Sequence, residues 1–188
     1  VVDAESRRAA GTDAERAERG AAQYLPDMQS DLIYRHVFVV ASVLHTIRRE
    51  VRRAPFTETG GPLVGYISAD DALVVTHASG PGPRAEHARH SVLIDGQHAQ
   101  QFCDHLWHES DGRLDYVGDW HRHPGWSLTP SQHDIVAMCT VAAFEHCPIP
   151  HPISLIYRRW PPALRVYVLN NERDLELAPW SLLSEIPT

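Results

Sequence analysis

Apolar and polar positions change period several times along the chain, and each change predicts an element. The run LIYRHVFVVA (32–41) is rich in β-branched and aromatic residues and predicts a strand. Val43, Leu44, Ile47 and Val51 then fall on one helical face, predicting a helix over 43–53 capped by Ser42. GGPLVGYIS (60–68) and ALVVTHASG (72–80) predict a hairpin that turns near ADD. RHSVLID (89–95) reads as a strand, 96–110 as a helix with Phe102 and Leu106 on its apolar side, and RLDYVGDWHRH (113–123) as a strand. Residues 130–145 predict a helix. PISLIYRR (152–159) and LRVYVLN (164–170) predict a second hairpin closed by Pro161-Pro162, and LELAPWSLL a short strand or turn. The order is mixed rather than strictly alternating. It predicts an α+β fold: a mixed, mostly antiparallel sheet flanked by helices.

The first 26 residues break this pattern. They are charged, rich in Ala and Arg, and poor in large apolar side chains, so they predict an N-terminal arm ahead of a folded domain over 27–188. The arm has too little apolar surface to pack strongly; a helix that docks on a partner is the alternative. It contains no apolar signal core, and no stretch of the chain approaches a membrane span, so a cytoplasmic protein without membrane contact is expected. Net charge is −7 over 188 residues, which argues against a nucleic-acid binder working through a basic surface. All 17 basic residues are Arg, so no Lys side chain is available for isopeptide attachment. Cys103, Cys139 and Cys147 lack paired spacing and read as small buried hydrophobes in a reducing compartment.

Candidate chemistry concentrates in GDWHRHPGWSLTPSQHD (118–134). Side chains alternate along a strand, so His121 and His123 project from one face together with Asp119, while Trp120 and Arg122 take the other. Thr129, Pro130 and Gln132 suit the N-cap, first and third positions of a helix, which would place Ser131 and Asp134 on one helical face. Two imidazoles and a carboxylate are three protein ligands, and for zinc they leave a fourth position open, as a catalytic site requires. Such a site needs a general base. Glu58 in FTETGGPLVGY is the candidate; the glycines beside it permit close backbone approach. Trp126 is the better of the two nearby tryptophans for substrate contact. The remaining histidines, those of EHARH (86–90) included, form no second ligand cluster, and His133 is expected to point off the ligand face.

The spacing His-x-His-Pro-x6-Ser-x-x-Asp, with Glu-x-x-Gly-x-Leu-x-Gly upstream, resembles the JAMM (MPN+ or JAB) metalloprotease family over about residues 32–170. The resemblance implies a JAB/MPN, cytidine-deaminase-like fold and one catalytic Zn²⁺ bound by His121, His123 and Asp134. It further implies Glu58 as general base and acid, and Ser131 as donor to the oxyanion. The layout is most similar to the prokaryotic branch, which implies a zinc isopeptidase or endopeptidase. Its substrate would be the C-terminal tail of a bacterial ubiquitin-like protein, in an anti-phage system with conjugation-pathway enzymes as partners. Processing of a sulfur-carrier protein or small substrate is one alternative, and a non-catalytic MPN scaffold another. The family usually has Ser or Thr where this chain has Arg122, which would contact backbone or a substrate carboxylate.

Overall fold

A computed structural model describes residues 33–89 and 91–185; the expected arm over 1–26 and its junction lie outside them. The elements are β1 (His36–Val40), α1 (Ala41–Arg53), β2 (Thr59–Ile67), β3 (Ala72–Ala78), β4 (Glu86–His87) and β5 (Val92–Leu93). They continue as α2 (Gly96–Glu109), β6 (Asp115–Arg122), α3 (Gln132–Ala142), β7 (Ile153–Arg158), β8 (Ala163–Leu169), β9 (Leu175–Leu177) and β10 (Trp180–Leu183). Eight strands form one mixed sheet in the order β10-β1-β3-β2-β6-β7-β8-β9, and β4 pairs with β5 in a separate ribbon. Among the described residues, no helix is long and apolar enough to cross a membrane.

Alternation along the central strands sorts the core into two faces. Leu63, Trp120 and Leu155 point to one face, where Val43, Leu44, Ile47 and Val51 of α1 pack on them. The opposite face is covered in two places. Val64 meets Cys103 and Leu106 of α2, and Ile156 and Tyr167 meet Met138 of α3. β6, which carries His121, lies between β2 and the β7–β8 pair that bear these two patches.

Several expected boundaries move. α1 begins at Ala41 without a side-chain cap, because β1 runs straight into it and buried Val40 occupies the N-cap position; Ser42 lies within the first turn, exposed. The strand expected over 89–95 is reduced to the two residues of β5, paired with β4. Of the cysteines only Cys103 is buried; Cys139 and Cys147 are partly exposed.

β6 carries a bulge beside the site: Leu63 pairs with Gly118 and Val64 with Tyr116, so Val117 has no partner. Gly118 has φ +149°, and a Cβ there would collide with the Ile153 carbonyl oxygen of the paired β7. Gly118→Ala is therefore expected to lower stability by about 2–4 kcal/mol. Urea unfolding would read this as an earlier midpoint; an unchanged midpoint would mean the bulge accommodates a side chain.

Candidate active site

Antiparallel pairing of β2 with β6 brings together residues some sixty positions apart in the chain. Thr59 pairs with Arg122 and Gly60 with His121; one residue further along both chains lie Glu58 and His123. Gly60 permits this approach, since a Cβ would stand 2.5 Å from the Trp120 carbonyl oxygen and 3.2 Å from His121 Cβ. Trp120 is fully buried on the α1 face, where its indole N–H donates to the Ser79 carbonyl at 2.8 Å. His123 follows the last residue of β6, and its Nε2 lies 3.0 Å from that of His121.

The third corner comes from the start of α3. The cap is Ser131, not Thr129, and the third helical residue is Asp134, not Gln132. The Ser131 amide donates to Asp134 Oδ2 at 2.6 Å, and the Asp134 amide donates back to Ser131 Oγ at 3.3 Å. A carboxylate makes this reciprocal pair charge-assisted, which a Thr129–Gln132 pair could not match. The helix therefore spans Gln132–Ala142 rather than 130–145, and Pro130 lies outside it. The same box fixes the Asp134 carboxylate at the helix start. Its Oδ1 lies 3.5 Å from His121 Nε2 and its Oδ2 3.4 Å from His123 Nε2.

Two ligands of a tetrahedral zinc, each about 2.0–2.1 Å from the ion, stand about 3.3 Å apart. The two imidazole nitrogens stand 3.0 Å apart, His121 lies 3.5 Å from one Asp134 oxygen and His123 3.4 Å from the other, and one ligand atom from each of the three residues lies within 4.8 Å of the other two. Nitrogen and carboxylate donors at this spacing fit zinc, and these three residues are the one group suited to hold a metal among the described residues. Burial opposes ionisation of Asp134, but its bonds with His121 and His123 outweigh burial and hold its pKa far below the usual carboxylate range. The hydrogen bond with Asp134 raises His123 above the usual imidazole value despite burial.

Glu58, His121 and Asp134 line one cavity of about 100 Å³, with Asp119, Met138 and Val92 also in its wall. The Glu58 amide donates to the Ala88 carbonyl at 3.1 Å, and its carbonyl accepts from His87 Nδ1 at 2.9 Å, so the β4–β5 ribbon steadies it. Ser131 is not part of this wall. Its hydroxyl donates to Asp134 Oδ2 at 2.7 Å. His133, expected off the ligand face, lines the cavity without joining the triangle. Asp119 accepts from the Tyr116 hydroxyl at 3.0 Å, and burial pushes its pKa up to about 6 against the opposing pull of Tyr116 and His121. Strand parity put Asp119 on this face, but nothing in the sequence pointed to Tyr116 as its partner. Arg122 takes the backbone option, donating to Ala54 and Thr57 carbonyls. Trp126 is exposed, and its carbonyl accepts from Arg158 Nη1 at 2.9 Å.

A family model for prokaryotic homologs of the JAB domain matches residues 40–174. The chain belongs to this family. This JAB-domain chain is 30% identical over 122 residues to a probable metalloprotease, y4qB, of Sinorhizobium fredii (strain NBRC 101917 / NGR234), covering 64% of this chain and 74% of that one. It is 34% identical over 102 residues to a CD-NTase/cGAS isopeptidase of Escherichia coli (strain TW11681), covering 53% and 64% of the two chains. A CD-NTase/cGAS isopeptidase of Enterobacter hormaechei subsp. hoffmannii (strain UCI 50) is 28% identical over 120 residues, covering 64% and 66%. The match thus spans just under two thirds of the length of both isopeptidases. The solution structure of protein DSY2949 from Desulfitobacterium hafniense superposes with a TM-score of 0.61 at 17% identity, over 80% of this chain and 94% of that one, a likeness of fold alone. Family and named relatives together make this JAB-domain chain a hydrolase.

Proposed function

We propose that the protein is a zinc-dependent isopeptidase or endopeptidase that cuts after the C-terminus of a bacterial ubiquitin-like protein, to mature or remove the modifier. One observation carries the reading: a single cavity gathers Glu58 with His121 and Asp134, two corners of a triangle whose spacing suits zinc. The two relatives named CD-NTase/cGAS isopeptidases support an isopeptide substrate, and the proposal includes an anti-phage setting with conjugation-pathway enzymes as partners. Three free cysteines fit a cytoplasmic location.

His121, His123 and Asp134 would hold the ion. Bound zinc supplies Lewis acidity toward the scissile carbonyl and makes water a better acid. Glu58 takes the proton of the attacking water and returns it to the leaving amine. The Ser131 hydroxyl donates to the oxyanion that forms from the carbonyl; to do so it turns its hydrogen away from Asp134 Oδ2. Val92 of β5 borders the cavity, so the β4–β5 ribbon offers an edge on which an extended tail would add as a strand.

The test uses the full chain and a bacterial ubiquitin-like protein fused at its C-terminus to a fluorescent reporter. About one zinc per chain is expected by elemental analysis. Cleavage should occur after the last modifier residue, stop with EDTA and return with added zinc. Undiminished cleavage by metal-free protein would refute the proposal.

A further inference from the structure

Arg122 lies between the two histidines in sequence but turns to the opposite side of β6, where it is only 5% exposed. Its Nη1 donates to the carbonyls of Ala54 at 3.1 Å and Thr57 at 2.9 Å. Ala54 is the C-cap of α1, so the first bond pairs a carbonyl near the helix end and sets a cation at its negative pole. Thr57 immediately precedes Glu58. Arg122 also stands opposite Thr59, the first residue of β2. One nitrogen thus ties both ends of the segment joining α1 to Glu58 back to the strand that bears the histidines.

This arrangement has a cost. The Arg122 Nε is buried with no hydrogen-bond partner. Burial and the charge of Arg159 disfavour the guanidinium, while the Glu58 carboxylate favours it. A residue that only filled space here would be better apolar, because an incompletely paired buried cation destabilises. We propose that Arg122 is a positioning residue that, through the Ala54 and Thr57 carbonyls, fixes Glu58 relative to His121 and His123. The proposal rests on the reading of Glu58 as general base.

The test compares R122M, R122K and E58Q in the zinc-loaded full chain, with the same reporter fusion as substrate. R122M should lower kcat about 10- to 100-fold, as expected for a misplaced base, with KM changed less than about threefold and zinc content unchanged. R122K should recover kcat to within about fivefold of wild type, since one ammonium nitrogen can donate to both carbonyls. Added to E58Q, R122M should cost nothing more, because both act through one group. Amide exchange over residues 54–58 should rise in R122M whether or not substrate is present. Should R122M fail to fold, R122Q takes its place. A wild-type kcat in R122M, an equal loss in the E58Q background, or no recovery in R122K would overturn this proposal alone. A wild-type rate in E58Q would instead overturn the general-base reading on which it stands.

Discussion

Glu58→Gln is expected to lower kcat for modifier cleavage by about 10²- to 10⁴-fold, the range for loss of a positioned acid–base group, while zinc stays bound. Gln keeps the size of the side chain and leaves the backbone bonds with Ala88 and His87 untouched. The residue lines the cavity but stands outside the His121–His123–Asp134 triangle. On the general-base reading the substitution removes proton transfer, together with the negative charge that acts on Arg122 and His123. Steady-state cleavage measured beside elemental analysis checks it. A variant that lost both zinc and rate would place Glu58 among the ligands, and one that kept both would take it out of the chemistry.

Much of the site could be read from local spacing, because local spacing decides it. Strand alternation put Asp119 and His121 on one face and Trp120 and Arg122 on the other, and β6 keeps that parity down to Arg122. The Gly-Gly pair announced a close backbone approach, and Gly60 lies against His121. What failed was a choice between overlapping local signals. TPSQHD offers two caps two residues apart, and the charged Ser131–Asp134 pair wins over the neutral Thr129–Gln132 pair. The fold class survived these shifts, because the sheet depends on apolar runs rather than on element ends. The register that sets Glu58 beside His123 was beyond reach, since it is a pairing between distant strands interrupted by the Val117 bulge. The strand expected over 89–95 came out as the shorter β5 for a related reason. Its apolar residues face the cavity and solvent rather than the core, so their pattern imitated a longer strand.

Asp134→Asn and Asp134→Ala are expected to abolish cleavage alike and to differ in folding, because on the proposed reading one carboxylate both holds the ion and closes the capping box. Either change removes the anionic oxygens 3.4–3.5 Å from the two imidazoles. Loss of a ligand should weaken zinc binding by more than about 100-fold, beyond what loss of an outer partner costs. Asn still accepts from the Ser131 amide and keeps both arms of the box; Ala keeps only the Ser131 hydroxyl bond to its own amide. In metal-free protein Asp134→Ala should therefore be less stable than Asp134→Asn by about 1 kcal/mol. Zinc titration against a competing chelator measures the first effect, and urea unfolding in EDTA the second. Wild-type zinc affinity in Asp134→Asn would dissolve the triangle. Equal stability of the two variants would mean that the bond from the Ser131 amide to the side chain at 134 contributes nothing to the helix, the Ser131 hydroxyl cap on the 134 amide being kept in both.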